Sequence, residues 1–460
     1  MFDRFDCTAI LRRALSGGGE FADIYFEEGN STVIVCEDAK IERVLAGADR
    51  GVGIRVISDL RTAYAYTNEI SEESLLALAE TVSRAVKGKR FEQAIDLTRK
   101  RVGTGFPILL PPEGIPLREK IATVSAADRA ARALDRKIRQ VTAMYRDGTA
   151  RTQIVNSCGE FTESARTGTV FTVQAVAAEG SLVQTGYEAV GGVYGFELLR
   201  TKPPEELALA AAKRSLMMLG ARKAPGGTMA VVLSSEAGGT MVHEAIGHGL
   251  EADLVQGGMS VYAGKKGTQV ASPLVTVIDD ATIANARGSF PFDDEGTPAQ
   301  RSVLVENGIL KGYMYDRLSA MKDGCRSTGN GRRESYQTKP IARMTNTLIA
   351  PGTTPPEEIV RSVREGLFVK KMGGGQVNTV NGDFVFEVSE GYLISNGEIG
   401  EPVRGATLTG NGPDVLNRIT MVGTDLGFGI GTCGKEGQGV PVSDAQPTLL
   451  IAEITVGGTA

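Results

Sequence analysis

The two histidines of this 460-residue chain both lie in one hexapeptide, His243-Glu-Ala-Ile-Gly-His248. Neutral imidazole is the commonest metal-ligating side chain, and it suits zinc. Glu244 follows the first histidine, where metallohydrolases place the carboxylate that takes a proton from a metal-bound water. The hexapeptide therefore predicts a hydrolytic zinc site. The alternative is a pair of ordinary surface or core histidines, because short motifs often match by chance.

The spacing of the histidines differs from that of the zincin motif His-Glu-x-x-His, because His248 is five positions after His243 rather than four. On an ideal helix of 3.6 residues per turn, five residues leave the two rings about 140° apart. A one-residue bulge of the π type would bring both rings to one ion, and such bulges occur mostly at functional sites. Gly247 lowers the cost of this distortion. The sequence therefore predicts a local bulge or break near Gly247.

A catalytic zinc usually has three protein ligands and a water, so a third ligand must come from elsewhere. Glu251 and Asp253 follow closely and could ligate the metal or support its ligands. Cys433 is flanked by glycines that allow a close approach to an ion, and Lys435 could stabilise its thiolate. Cys325 is the less favoured rival.

The composition excludes several classes of protein. A net charge of −5 with 23% charged residues gives no general electrostatic reason to bind nucleic acid. Five scattered cysteines do not form a disulfide pattern and indicate a reducing compartment. No signal peptide is recognisable, and no apolar run approaches the roughly 18 residues of a membrane span. We therefore expect a soluble cytoplasmic protein.

Short β-branched segments in the first part of the chain are typical of an antiparallel meander. They are residues 22–26, 32–36, 41–45, 53–57 and 62–66, with turns expected at Gly29-Asn30 and Asp38. Helices are expected from an N-cap at Ser71 to about Val86, over 116–134 and over 204–219. Asp147-Gly148 is a strong hairpin signal between strands at 138–145 and 151–155.

Pro225-Gly226-Gly227 is the best candidate domain boundary. Beyond it lie short strands at 229–233, 275–278, 384–388, 392–395 and 449–454, a helix that carries both histidines, and one further helix from Pro356 to about Leu367. We predict the α+β class. Residues 1–220 would form an N-terminal mixed α/β region with an antiparallel sheet, divisible at 105. Residues 228–460 would form a mostly β domain that carries the metal-binding helix.

Several motifs within residues 230–460 resemble the TldD/PmbA family of metalloproteases, and specifically its TldD branch. The motifs are His243-Glu-Ala-Ile-Gly-His-Gly-Leu250, Asp293-Asp-Glu-Gly-Thr-Pro298, Thr328-Gly-Asn-Gly-Arg-Arg-Glu-Ser-Tyr336, Arg343-Met-Thr-Asn-Thr347, Gly373-Gly-Gly-Gln-Val377, Gly405-Ala-Thr-Leu408, Gly431-Thr-Cys-Gly-Lys-Glu-Gly-Gln438 and Val456-Gly-Gly-Thr-Ala460. Together they are highly specific, whereas the first 220 residues match by layout only.

The resemblance implies zinc ligands at His243, His248 and Cys433, with Glu244 as the catalytic carboxylate. It implies a two-part α+β architecture with a β-rich C-terminal domain. It also implies a dimer, either with a TldE/PmbA-like subunit or with a second copy. TldE-type subunits lack the His-Glu-x-x-x-His motif, so this chain resembles the catalytic subunit.

Members of the family cleave unfolded polypeptides and trim leader peptides, so the resemblance implies the same activity here. Glu244 would activate a zinc-bound water whose pKa is lowered to about 7. Tyr336, Arg343 or a glycine-loop N–H are candidate donors to the oxyanion. A substrate captured as an added strand would lie beside Gly373-Gly-Gly375 or the segment near Asn346.

Two other functions remain open on the sequence. The first is a peptide-binding or regulatory protein with a structural zinc site, since the family has also been described as a modulator of DNA gyrase. A structural site would have four protein ligands and no water. The second is a zinc amidase that acts on a small molecule.

Overall fold

The first seven strands of the chain form one sheet. The structure, a computed structural model, describes residues 4–88, 95–97 and 99–458. The sheet order is β3-β2-β1-β5-β6-β4, β7 also pairs with β6, and only the β4–β6 pairing is parallel among these described strands. The strands are β1 (Phe21–Glu37), β2 (Lys40–Ser58), β3 (Arg61–Thr67), β4 (Arg99–Val102), β5 (Ile138–Asn156), β6 (Glu160–Glu179) and β7 (Leu182–Gly192).

Helices cover one face of this sheet. They are α1 (Cys7–Ala14), α2 (Glu72–Ala85), α3 (Leu117–Leu134), α4 (Leu198–Thr201) and α5 (Pro204–Gly220). Ile24 of β1 belongs to the apolar core under α1 and α2, and Ile34 of the same strand belongs to the core under α3 and α5. Both residues point to the same face because side chains alternate along a strand. The two predicted sub-blocks therefore share one sheet.

The predicted helices of this region are confirmed, including the N-cap of α2, where Ser71 Oγ accepts a hydrogen bond from Ser74 N. The antiparallel meander and its turn at Asp38 are also confirmed, and Asp38 has a φ of 48°. None of the helices in the described ranges is both long and apolar enough to cross a membrane.

Two predicted turns are wrong. Gly29-Asn30 lies inside β1, where Gly29 pairs with Asp49 on one side and Ala150 on the other. Asp147-Gly148 lies inside β5, which is continuous. In both places strand neighbours on two sides supply backbone hydrogen bonds, and these outweigh the local preference of the residues for a turn.

The rest of the chain is rich in strands, as predicted, which confirms the α+β class. The strands are β8 (Arg222–Lys223), β9 (Gly227–Leu233), β10 (Val277–Asp280), β11 (Arg301–Glu306), β12 (Ile309–Leu310), β13 (Gly331–Arg332), β14 (Ile341–Ala342), β15 (Asn346–Ile349), β16 (Glu365–Val377), β17 (Asp383–Ser395), β18 (Glu398–Arg404), β19 (Thr407–Asn411), β20 (Ile419–Val422), β21 (Gly427–Lys435), β22 (Gln438–Gln446) and β23 (Leu449–Gly457). The short helices are α6 (Thr240–Val242), α7 (Ala252–Gln256), α8 (Arg317–Asp323), α9 (Pro356–Arg361) and α10 (Gly412–Asn417).

These strands form two larger sheets around a common core. One is six-stranded, in the order β12-β11-β10-β15-β22-β21. The other contains the order β16-β9-β23-β19-β17 and closes like a barrel, because β16 also pairs with β17. The apolar core between them includes Val242, Ile246 and Cys433, so the segment that carries the histidines is packed inside this part of the molecule.

The predicted helix from Pro356 to about Leu367 is too long. Helix α9 ends at Arg361, and Leu367 is a buried residue of β16. The apolar residues of 367–369 belong to a strand that pairs with β9 and β17, so their burial comes from sheet packing. Of the terminal motif Val456-Gly-Gly-Thr-Ala460, the last two residues lie outside the described chain.

Candidate metal centre

The two histidines flank a π-helical turn: His243 is its first residue, and His248 directly follows its last. This turn covers His243–Gly247, follows α6 and leads into a short 3-10 turn at His248–Leu250. The N–H of His248 donates to the carbonyl of His243, five residues earlier. The two imidazole rings are brought to a centroid distance of 5.0 Å, with their planes at 87°. The predicted bulge is confirmed.

Close packing holds the turn in place. A Cβ on Gly247 would lie 2.3 Å from Met344 Sδ, so a larger residue here would require the Met344 side chain to move. The hydroxyl of Tyr262 donates to the carbonyl of Ala245 at 2.7 Å. A π turn changes which backbone N–H each helix carbonyl accepts from. The Tyr262 hydroxyl gives the Ala245 carbonyl a hydrogen bond at this irregular point.

Strand β21 brings Cys433 to the histidines from 185 residues away, with its Sγ 3.4 Å from His248 Nε2. The possible ligand atoms of His243, His248 and Cys433 all lie within 4.8 Å of one another. Cys433 is buried, whereas Cys325 is exposed beyond the end of α8 and does not join this group. Of the two cysteines considered from the sequence, the structure brings Cys433 to the histidines.

The donor set fits a zinc ion. Tetrahedral bonds of about 2.3 Å to sulfur and about 2.0 Å to nitrogen place those two atoms about 3.5 Å apart. The observed separation of Cys433 Sγ and His248 Nε2 is close to this value. Burial would raise the pKa of the Cys433 thiol, but hydrogen bonds to both histidines lower it to about 5, which favours the thiolate that binds metal. His243 Nδ1 is buried and has no hydrogen-bond partner among the described residues.

Glu251 lies behind His248 rather than in the ligand group. Its Oε2 is 3.0 Å from His248 Nδ1, and its side chain is fully buried. Burial would raise the pKa of Glu251, but the charges of Lys435, His248 and Arg343 lower it to about 2. A carboxylate at Nδ1 favours a proton on that nitrogen and leaves Nε2 to face the thiol.

Lys435 and Arg343 hold this arrangement together. The ammonium of Lys435 contacts Glu251 at 3.2 Å, Asp253 at 2.7 Å and the carbonyl of Ala342 at 2.8 Å. Its partners are therefore carboxylates, and not the Cys433 thiolate as the sequence suggested. Arg343 donates to the carbonyls of Cys433 and of Gln438.

Glu244 and Asp444 complete the charged environment. Burial raises the pKa of Glu244 above its ordinary value, and the two histidines partly oppose this effect. Asp444, on β22, has its Oδ2 3.7 Å from His243 Nδ1, and burial raises the pKa of its carboxyl as well. Sequence reasoning missed Asp444, because a single aspartate in a strand carries no signal of its neighbours across the sheet.

The two side chains considered as oxyanion donors have other partners. The hydroxyl of Tyr336 donates to Asp49 at 3.2 Å, and its ring packs against Tyr25 on the N-terminal sheet. Both amino groups of Arg343 donate to backbone carbonyls, as described above. The Nε–H of Arg343, which has no hydrogen-bond partner in the described chain, and a backbone N–H remain as candidate donors.

The two segments considered beside a substrate strand differ in accessibility. The segment at Asn346 belongs to β15, which pairs with β10 on one side and β22 on the other. Neither edge of that strand is free. Gly373-Gly-Gly375 belongs to β16, which pairs with β9 only over Gly366 to Val369 and also contacts the π turn.

Replacement of Glu251 by glutamine tests its contact with His248. We expect zinc affinity to fall about 10–100-fold, because an amide orients and polarises the imidazole less well than a carboxylate. Competition with a chromophoric chelator measures this affinity. Glu236→Gln, an exposed change near the same segment, should leave it unchanged. Equal affinity in the two variants would contradict the role given to Glu251.

Family models match most of the chain, in order. PmbA/TldA metallopeptidase domain 1 matches residues 22–88, the central domain matches 110–219, and the C-terminal domain matches 226–458. The last of these spans the π turn and Cys433.

Relatives and solved structures agree with these matches. A Haemophilus influenzae protein named metalloprotease TldD homolog is 40% identical over 96% of this chain and 93% of its own. A Saccharolobus solfataricus protein named zinc metalloprotease TldD homolog is 28% identical over 97% of this chain and 99% of its own. TldE from Thermococcus kodakarensis, at 18% identity, has the same fold, with a TM-score of 0.76 over 98% of this chain and 99% of its own.

A crystal structure from Thermotoga maritima, named as a candidate modulator of DNA gyrase, gives a TM-score of 0.80 at 25% identity over 99% of this chain and all of its own. The names of the relatives support the enzyme class expected from the sequence, a metallopeptidase. On the family models and the TldD relatives, the chain belongs to the PmbA/TldA metallopeptidase family.

Proposed function

We propose that the chain is a zinc metallopeptidase in which His243, His248 and Cys433 hold the ion and Glu244 is the general base. The observation that carries this proposal is the convergence of the three donor atoms within 4.8 Å of one another, beside a π turn that also bears Glu244. When bound, zinc polarises the scissile carbonyl and lowers the pKa of water to about 7.

Glu244 takes a proton from the attacking water and passes it to the leaving amine. Its raised pKa supports this role, because a base poised nearer neutral pH can both accept and release a proton. Glu251 orients His248, and Arg343 holds the strand that bears Cys433. Each of these contacts reduces the motion of a ligand.

We propose that the substrate is an unfolded polypeptide or a leader peptide, bound as a strand beside Gly373-Gly-Gly375. Beyond Val369, β16 has one strand partner, β17, within the described chain, and it contacts the π turn. Backbone hydrogen bonding reads an extended chain with little dependence on its side chains. A peptide complex in which the chain lies elsewhere would refute this placement.

The proposal extends to the organisation of the protein. Residues 228–460 would be the catalytic domain, because they contain all four site residues. Residues 1–220 would be the N-terminal region. The partner would be a TldE/PmbA-like subunit or a second copy, and the TldE fold supports an assembly of this type. The compartment would be the reducing cytoplasm, because the five scattered cysteines of the sequence do not form a disulfide pattern.

Three substrates test the function. We expect the zinc-loaded protein to cleave a reduced and alkylated polypeptide, to spare the same polypeptide when folded, and to leave small amides intact. A chelator should abolish cleavage, and added zinc should restore it. Turnover of small amides without polypeptide cleavage would favour the amidase instead.

A further inference from the structure

The face of the N-terminal sheet opposite the helices borders a cavity. Ile24 and Ile34 of β1 point to the helices, so Glu27, Gly29 and Ser31 point to the other face, because side chains alternate along a strand. All three of these residues line a cavity of about 720 Å³. The opposite wall of the cavity comes from the C-terminal part of the chain, from the segments at 287–294 and 333–337 and from the β21–β22 hairpin.

A row of small residues crosses the floor of this cavity. Gly47, Ser31, Gly148 and Gly168 lie directly opposite one another on β2, β1, β5 and β6. A Cβ at Gly47 would meet no atom within 4 Å, and a Cβ at Gly168 would meet only a backbone oxygen at 3.6 Å. Three strand spacings of about 4.8 Å make the row about 14 Å long, the length of about four extended residues. The floor therefore fits an extended peptide that lies across the strands.

Two arginines of the sheet flank this row. Arg146 lies two residues before Gly148 on β5, and Arg166 lies two residues before Gly168 on β6. Because β5 and β6 are antiparallel, the arginines border the row from opposite sides, and both line the cavity. The Nε of Arg166 is buried and has no hydrogen-bond partner among the described residues. A buried donor of this kind calls for an acceptor, which a ligand can supply.

A third arginine, Arg287, approaches from the opposite wall. Its guanidinium donates to the carbonyl of Gly431 at 3.1 Å and to the hydroxyl of Thr432 at 3.2 Å. Burial lowers the pKa of Arg287, and the nearby charge of Arg146 lowers it further, to about 10. Neither of these two arginines forms an ion pair with a described residue. Neighbouring guanidiniums without a counter-ion favour the binding of an anion.

The carboxylates that line the cavity do not neutralise these arginines. Each of them accepts a hydrogen bond from another part of the protein, and none of them forms an ion pair with Arg146, Arg166 or Arg287 in the described chain. The five are Glu27, Asp49, Asp147, Asp294 and Glu334, and their donors are Tyr336 N, Tyr336 Oη, Lys120 Nζ, Arg333 N and Gly439 N, respectively. On the sheet itself, the floor is acidic toward β2 and β1 and basic toward β5 and β6.

We propose that this cavity is a second binding site, which holds an extended peptide across the glycine row and a carboxylate of that peptide between Arg146 and Arg287. Arginine is suited to this role because its planar guanidinium binds a carboxylate through two hydrogen bonds. Thr432 lines the cavity, whereas Cys433, the next residue of β21, faces the histidines. Strand β21 therefore separates this site from the metal centre. The ligand class rests on the proposed function, but binding at this site requires no catalysis.

Three synthetic peptides test the ligand. The first is an N-acetylated hexapeptide of alanine and serine with a free C-terminal carboxylate, the second is its C-terminal amide, and the third is that amide with one serine replaced by glutamate. They are titrated by calorimetry into the zinc-loaded Glu244→Gln protein, and mass spectrometry checks that they stay intact. We expect the free acid to bind at least about tenfold more tightly than the plain amide.

Variants of the two arginines test which residues hold the carboxylate. Arg146→Gln and Arg287→Gln should each lower the affinity for the free acid about tenfold and leave the affinity for the plain amide unchanged. Arg146→Lys should keep part of the preference, because the charge remains. Arg136→Gln is the matched control, since Arg136 is exposed and lies beyond the end of α3. Circular dichroism checks the folding of each variant.

Each outcome is decisive. Equal binding of the free acid and the plain amide, or an unchanged preference in both glutamine variants, overturns the proposal. Tight binding of the free acid alone supports it and identifies the C-terminus of the peptide as the ligand. Tight binding of the glutamate-containing amide as well supports it and shows that a side-chain carboxylate also serves. A wild-type protein that binds as expected but cleaves no polypeptide contradicts the proposed function and leaves this site in place.

Gly168→Val tests the floor of the cavity. The added side chain would occupy the row, so all three peptides should bind at least about tenfold more weakly. Folding should persist, because the new Cβ meets only the carbonyl oxygen of Gly192 at an ordinary contact distance. Zinc affinity should also be unchanged, since Gly168 is not part of the ligand group. Unchanged peptide affinity in this variant would contradict the placement across the glycine row.

Discussion

Glu244→Gln leaves the zinc content of the protein unchanged and lowers the rate of polypeptide hydrolysis about 10²–10⁴-fold. Glutamine has nearly the same shape as glutamate but cannot accept a proton from water. Glu244 is not among the three residues whose donor atoms converge, so its replacement should leave the ion in place. Elemental analysis and initial rates on one preparation measure both quantities.

The control for this variant is Glu236→Gln, an exposed glutamate shortly before the same turn. It should retain both zinc and activity. If Glu244→Gln keeps full activity, the zinc site is structural or another residue is the base. If zinc and activity are lost together, Glu244 contributes to metal binding, and the division of roles proposed above is wrong.

Cys433→Ser lowers zinc affinity at least about 100-fold. A hydroxyl is a harder and far less acidic ligand than the thiol, which the two histidines hold at a pKa of about 5. The fold should persist, because Arg343 contacts the backbone carbonyl of Cys433 and not its side chain.

Zinc affinity of this variant is measured by chelator competition, with circular dichroism as the check on folding. Cys325→Ser is the matched control, since that cysteine is exposed and lies outside the ligand group. Unchanged affinity in Cys433→Ser would remove Cys433 from the ligand set. A loss in Cys325→Ser would revive the rival assignment.

The site could be predicted from the sequence where spacing alone constrains the geometry. Two histidines five apart cannot reach one ion on a regular helix, so a π turn was expected and is present. The neighbours of that turn were less predictable. From the sequence, Glu251 was a candidate either for a metal ligand or for a residue that orients a ligand. Its contact with His248 Nδ1 favours the second role. Asp444 depends on the packing of β22 beside the turn, which no local pattern encodes.

The fold was predictable at the level of class and of long elements. Helices α2, α3 and α5 begin where their capping and proline signals indicate. Turn signals failed inside β1 and β5, because strands on both sides pair with the residues concerned. The pairing of β1 with β5 joins residues more than a hundred positions apart, and local propensity does not include it.

The most direct test of the account is X-ray absorption at the zinc edge of the wild-type protein. We predict one sulfur at about 2.3 Å and two imidazole nitrogens at about 2.0 Å, with a light atom completing the shell. Loss of the sulfur in Cys433→Ser would identify its source. A shell without sulfur, or one with four protein ligands, would contradict a hydrolytic centre built from His243, His248 and Cys433.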